Sequence, residues 1–171
     1  NVDKGARLAE VLSEAGYVTL GLSANAAAGS RQGLAVGFDK FLDYQQIKKT
    51  RKRDDADVMT DEALQLVEKA DAEAPVFLWV HYVDPHWKYG PPKKQFPDQP
   101  KAAKCRAVQK QIKADQLTLG NFIANANGVA EAAFDDCSAL YDAEVSFIDQ
   151  EIGRLIEGLQ ALGRWEDSLV V

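Results

Sequence analysis

The stretch Val76-Phe77-Leu78-Trp79-Val80-His81-Tyr82-Val83-Asp84-Pro85-His86-Trp87 begins as an apolar run and ends in two imidazoles, a carboxylate and a proline. Its first five residues are apolar, follow Pro75 and are rich in aromatic and β-branched side chains. Such a run predicts a strand covered on both faces, as in a parallel sheet. In open parallel sheets ligands gather beyond the carboxyl ends of the strands, and Val80 to Trp87 lies at such an end. His81 and His86 are the chain's two histidines, which makes this stretch the first place to look for chemistry.

Upstream, Asp3 is placed to cap a helix through Ala6, Leu8, Ala9, Val11, Leu12 and Ala15, with Gly16 ending it in the left-handed conformation. Tyr17 to Leu22 reads as a short strand. The segment from Ala24 to Gly33 is small and polar, a loop from which Ser23, Asn25 and Ser30 could face a site, although turn chemistry is the plainer explanation for such residues. Gly33 to Phe41 brings aromatics back onto the sheet edge without needing a long regular element. Asp57 or Thr60 then caps a second helix carrying Ala63, Leu64, Val67 and Ala70 on one stripe.

Downstream, Lys88-Tyr89-Gly90-Pro91-Pro92 is an extended turn, because two prolines remove backbone donors. A short helix near Ala102 to Ala114 is followed by Gly120, Asn121, Asn125, Asn127 and Gly128. Residues 88–130 thus form a lid or insertion on an otherwise single domain, 1–171. Tyr141, Ile148, Leu155 and Leu162 recur every seven residues, interleaved with Val145, Ile152 and Leu159. This pattern predicts a core-facing helix, ended by Gly163. Leu169-Val170-Val171 starts a further strand and the chain stops, so we expect an excerpt. Helix then strand, repeated, argues for an α/β three-layer sandwich with a mostly parallel sheet.

Composition is that of an ordinary soluble protein: 171 residues, 46% hydrophobic, 27% charged, net charge −6. No apolar stretch approaches the roughly 18 residues that span a bilayer, and Asn1 to Lys4 lacks the features of a secretory signal. We therefore expect no membrane partner, while the compartment stays open. Cys105 and Cys137 lack the spacing of a metal or redox motif; idle thiols are the plainer reading and a disulfide the other. Five of the 20 Lys and Arg fall in Lys48 to Arg53 and eight in Lys88 to Lys113. Each cluster reads as a solvated charged loop or as a local field that concentrates an anionic ligand. Neither sits in a nucleic-acid motif, so no nucleic-acid partner is expected.

Three blocks resemble the sulfatase family of the alkaline-phosphatase superfamily. They are Leu8 to Thr19 with Gly37-Phe38-Asp39-Lys40-Phe41, then Phe77 to Trp87, then Leu140 to Asp149 running on to Trp165-Glu166-Asp167-Ser168-Leu169-Val170-Val171. The resemblance implies part of an alkaline-phosphatase-like fold and a hydrolase of sulfate esters. It further implies a nucleophile made by oxidising a cysteine to formylglycine and a divalent metal, commonly calcium, with a small anionic ester as the bound partner. His86, after Asp84-Pro85, matches the family histidine that contacts the ester and assists the leaving group. An imidazole titrates near neutrality and can protonate a departing oxygen within hydrogen-bond reach. His81 and Asp84 take supporting, substrate-side roles or purely structural ones, and Lys93 offers the anion a cation.

The departures from the family pattern are as informative. Neither Cys137-Ser138-Ala139-Leu140-Tyr141 nor Cys105-Arg106-Ala107-Val108-Gln109 is a Cys-x-Pro/Ala-x-Arg nucleophile motif. The acidic pair before that motif and the Asp-His-Gly block after Val171 are missing. Ala24, Asn25 and Ala26 stand where many members carry lysine and histidine. We therefore expect the nucleophile and metal ligands outside these residues, and the chain alone to be inactive. A metal site built from His81, Asp84 and His86 is disfavoured, since the spacing lacks a helix-face signature such as HExxH. The alternatives are a phosphoryl or phosphonate ester hydrolase or transferase of the same superfamily, and a noncatalytic anion-binding module. An open sheet edge would also allow homo-oligomers.

Overall fold

The computed structural model of the chain describes residues 5–51, 55–94, 96–114 and 129–171. These residues belong to two compact units, one formed by Asn1–Val83 with Gln150–Val171 and the other by Asp84–Asp149.

The first unit is built on a parallel sheet of three strands, β1 (Val18–Ser23), β2 (Lys40–Leu42) and β3 (Val76–His81), in the order β2-β1-β3. Leu22 pairs in register with Leu42 on one side and Val80 on the other, and Ser23 pairs with His81. Around it lie α1 (Leu8–Glu14), α2 (Tyr44–Arg51) and α3 (Ala56–Glu68), which makes the class α/β as expected. The strand covered on both faces is β1, where every residue from Thr19 to Ser23 is buried. The quoted β3 is half-buried throughout, because it lies at the edge of the described sheet.

Strand alternation divides the sheet's side chains into two dissimilar faces. Leu22, Leu42, Leu78 and Val80 meet Val58, Met59 and Ala63 of α3 in the main core. The opposite face is aromatic: Phe38 lies 5.7 Å from Phe77, Phe41 lies 6.0 Å from Trp79, and Trp79 lies 5.7 Å from His81, centroid to centroid. Gly21 makes room for these rings, since a Cβ there would stand 2.5 Å from Cδ2 of Phe41. Asp39 ties the β1–β2 crossover back to the sheet. Its Oδ2 accepts the Thr19 N–H at 2.8 Å, while the Asp39 N–H donates to Thr19 Oγ1 at 2.9 Å.

Several local expectations are corrected. The first helix starts at Leu8, where the Glu10 carboxylate reaches back to the Arg7 N–H at 3.0 Å; Asp3 lies outside the described residues. Gly16 does end it, at φ +89°. The first part of the basic run is no loop: Lys48, Lys49 and Arg51 form the last turn of α2, where cations complement the helix dipole, while Lys52 and Arg53 lie outside the described residues. The N-cap of α3 is Asp55, and Thr60 is buried inside the helix, meeting the Tyr82 hydroxyl at 2.9 Å. Leu169 to Val171 form no strand and stay exposed, for no described strand lies beside them to complete a ladder.

The second unit is helical, with α4 (Ala103–Ala114), α5 (Val129–Ala132) and the first half of α6 (Phe134–Ala161). The Gly- and Asn-rich run 120–128 lies outside the described residues. Cys105 on α4 and Cys137 on α6 form a disulfide, so the expectation of idle thiols is corrected. Ala102, Cys105 and Leu140 pack around this bond, with Tyr89 against them.

The buried row of α6 differs from the predicted heptad row. Leu140, Ala143, Glu144, Phe147 and Glu151 are buried, whereas Tyr141, Val145 and Ile152 are each at least 40% exposed. Two paired carboxylates occupy the inner face, which hydropathy alone assigns to the outside. Glu144 Oε1 accepts the Gly90 N–H at 2.6 Å, and Glu151 accepts from Arg154 at 2.6 Å and 2.9 Å. Arg154 also reaches Asp61 at 2.7 Å, which fastens this end of α6 to α3.

Candidate functional site

The chemistry-bearing residues of the quoted stretch fall in both units. In the first, β3 delivers His81 to the carboxyl end of the sheet, where its carbonyl accepts the Ala24 N–H at 3.0 Å. Its ring is half-buried on Trp79, with Nδ1 3.4 Å from Ser23 Oγ. Ser23 is wholly buried and also accepts the Asn25 N–H at 3.2 Å. Asn25 in turn accepts from the Ala27 N–H at 2.8 Å. Ser23 and Asn25 are thus occupied in shaping the turn that follows β1. A narrow crevice beside this turn is lined by Asn25, Ser30, Arg31, Asp43 and Tyr44.

In the second unit the segment from Asp84 to Gly90 is held by side chains remote in sequence. Trp87 packs on Val108 and Ile112 of α4 and on Ala133. Tyr89 meets Trp87 and Tyr141 edge to face, at 5.4 Å and 5.5 Å. Gln109 donates its amide to the Tyr89 carbonyl at 3.0 Å, and buried Glu144 takes the Gly90 N–H. Gly90 sits at φ +139°, a conformation that glycine adopts without strain. On this frame Asp84 is half-buried and engaged with a partner, whereas His86 is exposed.

The His86 ring has a defined polarity. Its Nδ1 lies 2.5 Å from the carbonyl oxygen of Trp87. A carbonyl only accepts, so Nδ1 carries a hydrogen and donates it, leaving Nε2 as the nitrogen free to address a ligand. Lys93 is exposed in a turn of the same unit, closed by the Phe96 N–H donating to the Pro92 carbonyl at 2.9 Å. Asp84, His86 and Lys93 therefore share one compact unit, and His81 belongs to the other.

Of the residues that support the segment, Gln109 and Glu144 were not singled out from sequence. One signal was available for Glu144: a carboxylate amid the apolar residues of a long helix is either solvated or holding something. Its spacing does not say which.

The described residues do not fit a metal cage of the kind the resemblance implies. No group of three or more His, Cys, Asp or Glu side chains is assembled among them. The two cysteines are joined to each other, so neither is available for oxidation to a formylglycine.

A search of curated proteins finds no match to the chain. The family model described as Sulfatase matches residues 3–171, nearly the whole length, and the three-stranded parallel sheet with its helices agrees with part of an alkaline-phosphatase-like fold. This chain belongs to the sulfatase family.

Proposed function

We propose that the chain contributes the leaving-group side of a sulfate ester hydrolase, with His86 as the proton donor. The observation that carries this reading is the exposed imidazole whose Nδ1 is committed to the Trp87 carbonyl, in a chain matched by the sulfatase family model over residues 3–171. When the S–O bond to the alcohol breaks, the departing oxygen takes both electrons and needs a proton. Nε2–H of an imidazolium supplies it, while the Trp87 carbonyl orients the ring by accepting from Nδ1–H. Lys93 and Asp84 assist on the substrate side, the first by attracting the anion and the second by shaping the turn. His81 supports the end of β3.

In this reading the nucleophile and the divalent cation of such an enzyme come from residues other than those described, and the pairing of both cysteines in a disulfide supports it. The chain by itself should therefore leave an aryl sulfate and an aryl phosphate intact, with or without calcium. In the active protein containing it, His86→Ala should lower kcat for the aryl sulfate by about 10²- to 10⁴-fold. The loss should be smaller for a nitrophenyl than for an alkyl leaving group, since the better leaving group needs less protonation. An unchanged rate removes His86 from the mechanism, and faster turnover of the phosphate ester replaces sulfate with phosphate as the substrate.

A further inference from the structure

The peptide group that joins Tyr89 to Gly90 is held at both of its polar atoms, and by two different helices. Gln109 of α4 donates its amide to the carbonyl at 3.0 Å, and Glu144 of α6 accepts the N–H at 2.6 Å. Both side chains are buried, at 8% and 4% exposure. Burying an amide and a carboxylate costs free energy unless each finds a partner, and here the partner is backbone in a segment without helix or strand. The same Gln109 nitrogen also faces Cys105 Sγ at 3.5 Å, and the Cys105–Cys137 bond joins the two helices. Arg106 stands on a third side of the group, where a Cβ on Gly90 would meet its Nη1 at 3.0 Å.

This pair of partners selects one orientation. A carboxylate only accepts, whereas the amide nitrogen only donates. Turning the peptide group over would set its carbonyl against the Glu144 carboxylate and its N–H against the Gln109 nitrogen, two repulsive contacts in place of two hydrogen bonds. Packing alone does not discriminate in this way. Only Trp87 and Lys88 lie between His86 and Tyr89. The Trp87 ring rests on Val108 and Ile112, and the Trp87 carbonyl takes His86 Nδ1. With the ring seated at one end and the peptide group fixed at the other, the direction of that carbonyl is determined.

We propose that Gln109 and Glu144 are positioning residues for His86. By fixing the orientation of the Tyr89–Gly90 peptide group they set the direction of the Trp87 carbonyl and, through it, of the imidazole nitrogen that protonates the leaving oxygen. This deepens the sulfate ester reading and rests on it.

The test compares an alkyl sulfate with a nitrophenyl sulfate in the active protein that contains this chain. The alkyl ester depends more strongly on a proton from His86, so a misdirected imidazole should slow it more. Gln109→Met and Glu144→Ala should each lower kcat for the alkyl ester by about 10- to 100-fold, the loss expected for a displacement on the order of 1 Å. For the nitrophenyl ester the loss should stay within about threefold, and KM should not change for either. The ratio of the two rates does not depend on how much of the enzyme is folded, so it reads even a poorly folding variant. Gln109→Met carries the test if Glu144→Ala does not fold at all. Glu144→Gln, which keeps an acceptor, should return most of the alkyl rate, and Gln111→Met, at an exposed position of α4, should change neither ester. In a His86→Ala background the ratio should no longer respond to Gln109→Met or Glu144→Ala. Equal losses on both esters, or an undiminished response in that background, overturn the proposal and leave the ester reading intact. Turnover of both esters indifferent to His86→Ala removes the ester reading itself, and the positioning role with it.

Discussion

The two units of this chain are held together by different physics. In the first, a three-stranded parallel ladder carries apolar side chains on one face and stacked aromatics on the other, so stability is spread over many ordinary contacts. In the second, a disulfide, a buried carboxylate and a few side chain to backbone hydrogen bonds hold segments that lack regular structure. A sheet specifies its geometry through repetition, and each rung supports the next. A site loop gains its geometry from single long-range bonds, and each of these is a separate point of failure.

The largest effect should come from the disulfide. Replacing Cys105 and Cys137 by serine opens a loop closed across a separation of 32 residues, and should lower the stability of the second unit by about 3–4 kcal/mol. Hydrogen exchange resolved by segment should show protection lost in α4 and around Tyr89 but kept in β1 and β3. Equal loss in both units would mean that the contrast drawn here is false.

Next comes Gly21→Val, which drives a side chain into the Phe41 ring and should cost the first unit about 3 kcal/mol in denaturant unfolding. Glu144→Ala should follow, at about 2 kcal/mol, because the half-buried Gly90 N–H is left without its charged acceptor. If Glu144 holds the site segment in place, kcat of the active protein falls with it, whereas Glu144→Gln, which keeps an acceptor, restores much of the loss.

The smallest effect should be that of Tyr82→Phe, about 1 kcal/mol, for loss of the hydrogen bond to Thr60. It carries a pH signature. Burial pushes the Tyr82 phenol above its ordinary value, outweighing the bond from Thr60, because a buried phenolate is poorly solvated. The folded form therefore retains a proton that the unfolded chain gives up near pH ~10. This stabilisation is complete below the unfolded value and is lost as pH rises through the folded one. The alkaline limb of stability should flatten in Tyr82→Phe; an unchanged limb would assign it to another group.

Legibility in the sequence follows the same division. The strand at Val76, the strand near Val18, the helix stop at Gly16 and the parallel α/β class were readable because apolar periodicity and glycine report on local backbone geometry. The edge position of β3 was not, since strand order is a property of the assembled sheet. The α6 stripe misled for a related reason. Glu144 and Glu151 look like surface residues in any hydropathy pattern, and partners such as Gly90 and Arg154 offset the cost of burying them. The order Asp84-Pro85-His86 was legible as part of the family resemblance, yet the contacts that Trp87, Gln109 and Glu144 make emerge only when distant segments meet.

By itself the sequence determined the α/β class and the family, because each is written in neighbouring residues or in a local order of residue types. Tertiary structure alone decided that Cys105 meets Cys137, that Glu144 takes the Gly90 N–H, and that Trp87 rests on Val108 and Ile112 of α4. Those outcomes depend on which distant groups become partners. A buried charge, a thiol or an imidazole acquires its chemical role from the partner that satisfies it, and chain order does not name that partner.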